Sequence, residues 1–412
     1  MDKNLLKKYA DFAVKVGVNV QKDQTLLISS PITCAQFARM CAEVAYESGV
    51  REVVMLYNDE EFSRITMKNA KQEVLEDIKP WILARYMDYY TGEGSLSILS
   101  IFARNPEIYL GLDPEKIEKA MQAQMKALIP WRELTMANKV QWGIVSIPTV
   151  SWASKVFPGI PEEQAVEKLW DCIFSICRVT GGDPEKEWSA HNARLQKYRD
   201  WLNSLDLDSL HLTASNGSDI VIGLADTCVF TGGSQLSDKG VEFYPNIPTE
   251  EVFTAPHAKR VNGIIKSSMP YVYNGNIIEG ITAKFVDGLA VEYSAEKGNE
   301  FLQMMLSSDE GAKRLGEIAL VPASSPVRKT GVLYFNTLFD ENAACHIAFG
   351  EAYPDSVKGG ENMEREQLNA LGLNYSLIHE DVMVGTPDMN ISGTTKDGRT
   401  IEIFKNGDWV NL

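Results

Sequence analysis

The feature that most constrains this chain is a change of texture near residue 205. Before it, short apolar runs alternate with amphipathic helical stretches; after it, two-residue hairpin signals become dense. Leu5, Leu6, Tyr9, Phe12, Ala13 and Val16 recur at helical spacing and predict a helix over 3–17. Residues 24–29 predict a short strand broken by Pro31, followed by a helix over 34–48 that Gly49 stops. Further buried strands are expected at 52–57, 97–102 and 143–148, with helices between them. This rhythm predicts a doubly wound α/β domain on a mostly parallel sheet. Helices over 162–178 and 184–204 close it. Beyond Asp206, Asn216-Gly217, Asp287-Gly288, Asp397-Gly398 and Asn406-Gly407 each sit between strand-like runs. The second half is therefore expected to be mostly antiparallel β with one or two helices. The expected domains are 1–205 and 206–412, in keeping with a chain of 412 residues.

Composition removes several functional classes. Hydrophobic residues make up 44% and charged residues 23%, as in an ordinary globular protein. Lys plus Arg number 40 against 56 Asp plus Glu, a formal net charge of -16 that repels nucleic acid. No apolar run approaches the ~18 residues of a membrane span. The charged, amphipathic opening MDKNLLKKYADFAVKV reads as a first helix and not as a signal peptide. The six cysteines form no C-x-x-C pair and read as reduced, mostly buried thiols of a cytoplasmic protein. A nucleotide cofactor is not expected. Gly92-Glu93-Gly94 lacks a third glycine and a preceding strand, and neither a G-K-[ST] loop nor a G-x-S-x-G elbow occurs.

Chemistry is sought among the five histidines and a few carboxylates. His191 lies in a polar helix and is expected at the surface. His211 lies in a hairpin strand with no acidic neighbour on its own face. His257 stands beside Lys and Arg, a poor setting for a metal. His379 lies in S-L-I-H-E-D-V-M-V-G, which reads as a buried strand, so His379 and Asp381 share a face. They make either a metal clamp or a core hydrogen bond; the fragment alone does not decide. His346, in A-A-C-H-I-A-F-G, is either a core histidine or part of a site to which the following loop returns Tyr353. Glu250 and Glu251 stand in an extended piece between prolines, where adjacent side chains face opposite ways and only one is expected inward. Ser307 and Glu310 fit a capping box, which predicts a helix up to Pro322 with Glu317 near its C-terminus, against the macrodipole.

Together, N-I-P-T-E-E-V-F-T-A-P, L-G-E-I-A-L-V-P, C-H-I-A-F-G-E-A-Y and I-H-E-D-V-M-V-G resemble the four motifs of the thermophilic aminopeptidase (aminopeptidase T/AmpS/PepS) family of dinuclear metallo-aminopeptidases, PepS-like members most of all. The likeness spans essentially the whole chain. It implies metal ligands at Glu251, Glu317, His346, His379 and Asp381, and an active-site tyrosine at Tyr353. Choosing Glu251 over Glu250 rests on the resemblance. The family also implies a two-domain subunit, a homodimer enclosing a cavity, and two divalent ions per subunit, zinc or cobalt, with manganese or magnesium as alternatives.

Three carboxylates and two imidazoles suffice for two ions if one carboxylate, Glu317 or Asp381, bridges. Such a pair would activate water against the carbonyl of peptides with a free N-terminus, with Tyr353 donating to the oxyanion and Glu250 a candidate general base. Two other readings compete: a dinuclear amidohydrolase or phosphoesterase on the same ligands, and a nucleotide-binding oxidoreductase or non-catalytic protein using the first half. No nucleic-acid or membrane partner is expected.

Overall fold

The computed structural model describes residues 2–92 and 95–410, so Glu93 and Gly94 of the glycine pair lie outside the described residues. The chain forms two compact units. The first comprises Met1–Asn192 with Ser234–Pro248, and the second Ala193–Gly233 with Thr249–Leu412. The division falls within the helix Pro184–Ser204.

The first unit is built on a four-stranded parallel sheet, in the order Glu52–Asn58, Thr25–Pro31, Leu96–Ile101, Gln141–Val145. The second of these strands runs through Pro31 and is not broken before it. Its pairing with Leu96–Ile101 ends at Ser29, so Pro31 has a strand on one side only, where a missing N–H is tolerated. Asp2 caps the helix Lys3–Phe12 by accepting the N–H of Asn4, and the chain continues through a wider π turn, Ala13–Gly17. The helix Ala35–Glu47 buries Phe37, Ala38, Cys41, Val44 and Ala45, a stripe at helical spacing. Tyr9 stacks on Phe37 with ring centroids 5.4 Å apart.

His191 departs from the expectation of a surface residue. It is 3% exposed, with Nδ1 3.1 Å from Arg178 Nη2 and its ring edge-on to Trp188. Trp188, His191 and Asn192 are all buried at a spacing of three and four, so a mostly polar helix still presents one inward stripe.

The second unit holds an eight-stranded antiparallel sheet. Its order is Leu289–Ser294, Thr282–Val286, Pro256–Lys266, Asp219–Leu224, Leu207–Thr213, Asn390–Thr395, Thr400–Lys405, Asp408–Trp409. All four expected hairpin dipeptides join adjacent strands of this sheet. A fifth, Asn274-Gly275, joins Tyr271–Tyr273 to Asn276–Ile278. Asn274-Gly275, Asp287-Gly288 and Asn406-Gly407 take positive φ at both residues, the conformation that matches the twist of the flanking strands. His211 does have an acidic neighbour: its Nε2 is 2.7 Å from Asp219 Oδ1, which the paired strand supplies one diagonal away. Among the described residues four short helices accompany the sheets, Asn299–Leu306, Pro326–Lys329, Thr337–Asp340 and Arg365–Ala370, more than the one or two expected.

A smaller antiparallel sheet has the order His379–Met383, His346–Gly350, Leu315–Leu320, Val252–Thr254. Here the expected helix up to Pro322 is overturned. Helix Asn299–Leu306 stops before Ser307, a single turn covers Gly311–Lys313, and Leu315–Leu320 is a strand. Every residue of that strand is buried, and it is paired on both sides, Ile318 with Thr254 and with Ile347. A segment that is apolar apart from Glu317 and buried throughout suits an inner strand, and pairing overrides the local capping signal. Asp309 fills the capping role by accepting the N–H groups of Gly311 and Ala312. Glu317 therefore meets no helix macrodipole. Among the described residues, no helix is long and apolar enough to cross a membrane.

Candidate metal centre

The small sheet places four of the expected ligands on one face. Glu317 and Asp381 are both direct partners of Ala348, and His379 is the partner of Gly350. His346, Ala348 and Gly350 alternate along their strand, so Glu317, His346, His379 and Asp381 project to the same side. The small residues Ala348 and Gly350 between them keep that side from being filled by the sheet itself. Glu251 directly precedes Val252–Thr254, the strand beside that of Glu317.

The side chains converge. His346 Nε2 lies 3.2 Å from Glu251 Oε2, 3.3 Å from Glu317 Oε1 and 4.0 Å from Asp381 Oδ1. His379 Nε2 lies 3.6 Å from Glu317 Oε2 and 3.4 Å from Asp381 Oδ1. Two donor clusters result, Glu251–Glu317–His346 and Glu317–His379–Asp381, with Glu317 common to both. Its two oxygens face different imidazoles.

Each imidazole is aimed from behind. His346 Nδ1 sits 3.0 Å from the carbonyl of Glu341 and 3.2 Å from that of Ala344; His379 Nδ1 sits 2.7 Å from the carbonyl of Glu351. Carbonyls only accept, so each Nδ1 carries the proton and each Nε2 is turned to the carboxylates. Without a cation, protons balance the charge. Burial works against both imidazolium ions, yet Glu251 and Glu317 hold His346 well above its ordinary range, and Asp381 and Glu317 hold His379 at about 9. Burial pushes Glu317 up against the pull of His346 and His379. Asp381 is drawn down, because His379 outweighs its burial.

These residues fit a divalent cation. Asp381 Oδ1 is buried without a hydrogen-bond partner, and the 3.4 Å approach of His379 Nε2 is outside hydrogen-bonding geometry. A carboxylate oxygen with no hydrogen bond, among two Nε2 atoms and two further carboxylates, is a donor that a divalent cation would satisfy. The mixed oxygen and nitrogen set suits zinc, cobalt or manganese.

Tyr353 follows the His346 strand, its ring edge-on to that of His379 at 4.8 Å and 5.9 Å from that of Phe253. Glu250 belongs to neither donor cluster, and its N–H donates to Asn342 Oδ1 at 2.6 Å. Both Glu250 and Glu251 are 6% exposed, whereas alternation along an extended chain puts only one inward. The segment is enclosed on both sides, since Ile247, Thr249 and Val252 are buried as well.

Sequence reasoning missed three polar residues. Burial raises Glu341 well above the usual carboxylate range, and Asp381 and Glu251 add to it. Asp355 is raised to about 7 by burial and then by Glu317. Asn342 is fully buried. The available signal was Asp340-Glu341-Asn342, three polar residues running directly into the apolar A-A-C-H-I-A-F-G strand.

A family profile described as thermophilic metalloprotease (M29) matches residues 2–409. Aminopeptidase 2 of Geobacillus stearothermophilus is 44% identical over 405 residues, covering 98% of this chain and 97% of its own. Aminopeptidase PepS of Streptococcus thermophilus is 39% identical over 409 residues, covering 99% of this chain and 98% of its own. The solved structure of wild-type AmpT from Thermus thermophilus superposes with a TM-score of 0.91 at 40% identity, covering 99% of this chain and 100% of that one.

Proposed function

The chain belongs to the thermophilic metalloprotease (M29) family, and from that premise we propose that it is a metallo-aminopeptidase with a dinuclear centre. Glu251 and His346 would hold one ion and His379 and Asp381 the other, with Glu317 shared between the two donor sets. The observation that carries this reading is Glu317, whose two oxygens face different imidazoles and which belongs to both donor clusters. Divalent cations bound there supply the Lewis acidity that makes water a nucleophile near neutral pH.

The chain's own residues supply the remaining functions. The carbonyls behind His346 and His379 prevent the rings from turning. The Tyr353 phenol donates to the peptide carbonyl oxygen as negative charge develops on it. Glu250 passes a proton from the attacking water to the leaving amine. A carboxylate of the site, or one of the ions, would hold the peptide's free α-amine and confine cleavage to the first residue. The metal is zinc or cobalt, with manganese or magnesium as replacements. The same reading makes the protein a cytoplasmic homodimer enclosing a cavity, acting on peptides with a free N-terminus.

The test is chelation. Exhaustive removal of metal is expected to abolish release of aminoacyl p-nitroanilides, and zinc or cobalt to restore it. Activity that survives chelation refutes the proposal, and turnover of nitrophenyl phosphate alone reassigns the site to a phosphoesterase.

A further inference from the structure

The turn before the His346 strand ties together segments 92 residues apart. Asn342 is fully buried in it. Its Oδ1 accepts the N–H of Glu250 at 2.6 Å, and its Nδ2 donates to the carbonyl of Leu338 at 2.9 Å and to Glu341 Oε1 at 3.3 Å. Its own carbonyl accepts the hydroxyl of Ser325 at 2.6 Å. Asp340, two residues earlier, accepts the N–H groups of Tyr334 and Asn336 at 2.8 and 3.0 Å. Between these two anchors lies Glu341, whose carbonyl aims His346 Nδ1.

The hydrogen bonds of this turn to the metal-ligand segments go to one half of the centre, the Glu250–Glu251 backbone and His346. Glu251 and His346 are the donors that belong to the first cluster alone. The chain leading to His379 and Asp381 is held by other groups: Asp309 accepts the Ser376 hydroxyl and the Leu377 N–H, and Glu351 aims His379.

We infer that Asn342 is a positioning residue for one of two ions: its side chain pins the Glu250–Glu251 backbone to the turn that orients His346, so the Glu251–Glu317–His346 donor set is assembled before a cation arrives. This rests on the dinuclear reading above. Removing the amide leaves the buried Glu250 N–H and Leu338 carbonyl without these partners and lets the Glu251 segment drift from His346. Losses of outer hydrogen-bond partners of metal ligands weaken affinity by about 10–100-fold.

The experiment uses the full-length, metal-free protein titrated with Co²⁺, read by visible d–d absorption and by competition with a chelator. The wild type takes up two equivalents. Asn342→Ala is expected to keep one at wild-type affinity and to weaken the other by about 10–100-fold, with loss of one part of the cobalt spectrum. Asn342→Asp keeps the acceptor for the Glu250 N–H but sets a second oxygen against the Leu338 carbonyl and Glu341 Oε1, so it is expected to weaken the same ion while leaving the other at wild-type affinity. Equal weakening of both ions, or a lowered melting temperature with both affinities intact, overturns the inference. If the alanine variant does not fold, Asn342→Asp decides alone: weakening confined to one ion supports the role, and equal weakening of both ions, or two ions at wild-type affinity, overturns it. Fewer than two equivalents in the wild type overturns the dinuclear reading itself, a result distinct from two equivalents that Asn342→Ala leaves unchanged.

Discussion

The charge cluster makes the metal-free protein sensitive to alkali. His379 is held at about 9 against an ordinary value of 6.5, because Asp381 and Glu317 outweigh the effect of its burial. Folding thus tightens its hold on a proton, a contribution of about 3 kcal/mol. That contribution is fully present below pH 6.5, where the unfolded chain is protonated too, and is lost as pH rises to about 9. His346, also raised, acts in the same direction. Glu317 and Glu341 are raised carboxyls, so their contributions too decline with rising pH, beginning above the ordinary carboxylate range. Asp381 is lowered, so its contribution is lost only in acid and does not change in this window. Urea denaturation in the presence of a chelator at pH 6.5 and pH 9 measures the effect. The metal-free wild type is expected to lose about 3 kcal/mol or more between them, and His379→Gln to lose about 3 kcal/mol less than the wild type. Saturating zinc should flatten the dependence, since metal binds the deprotonated ligands. Metal-free stability that is flat or rises over this interval refutes the reasoning.

Other consequences follow from single positions. Tyr353→Phe removes the proposed oxyanion donor and is expected to lower kcat by about 10²–10³-fold while leaving KM and metal content near wild type. An unchanged kcat on aminoacyl p-nitroanilides assigns the phenol no such role. Gly350 has φ +109, and a Cβ there would run into the carbonyl oxygen of Ile378. Gly350→Ala is expected to destabilise by about 1–3 kcal/mol and to disturb the pairing with His379, read by denaturation and metal content together. Wild-type values for both contradict the strand geometry described.

Local signals carried well from sequence to structure. The hairpin dipeptides were legible because their positive-φ turns are chosen within two residues, and the parallel strands because each is a short apolar run between helices. His379 and Asp381 follow from simple alternation. What depends on distant partners was not legible. Glu317 looked like a helical residue because Ser307 and Glu310 mimic a cap; only its neighbours at Val252–Thr254 and His346–Gly350 make its segment a strand. His191 looked solvated because its neighbours in sequence are polar, while the packing of Trp188 and Arg178 against it is tertiary. Asp219 reaches His211 only through strand pairing. Asn342 and Glu341 carry no motif of their own, and their significance lies in bonds to Glu250 and His346.

Anomalous scattering at the zinc or cobalt absorption edge, from crystals of the metal-loaded protein, tests the bridging role of Glu317 most directly. Two peaks about 3.5–4 Å apart are expected, one beside Glu251 and His346, the other beside His379 and Asp381, with the Glu317 carboxylate between them. A single peak, or ions bound away from Glu317, contradicts it.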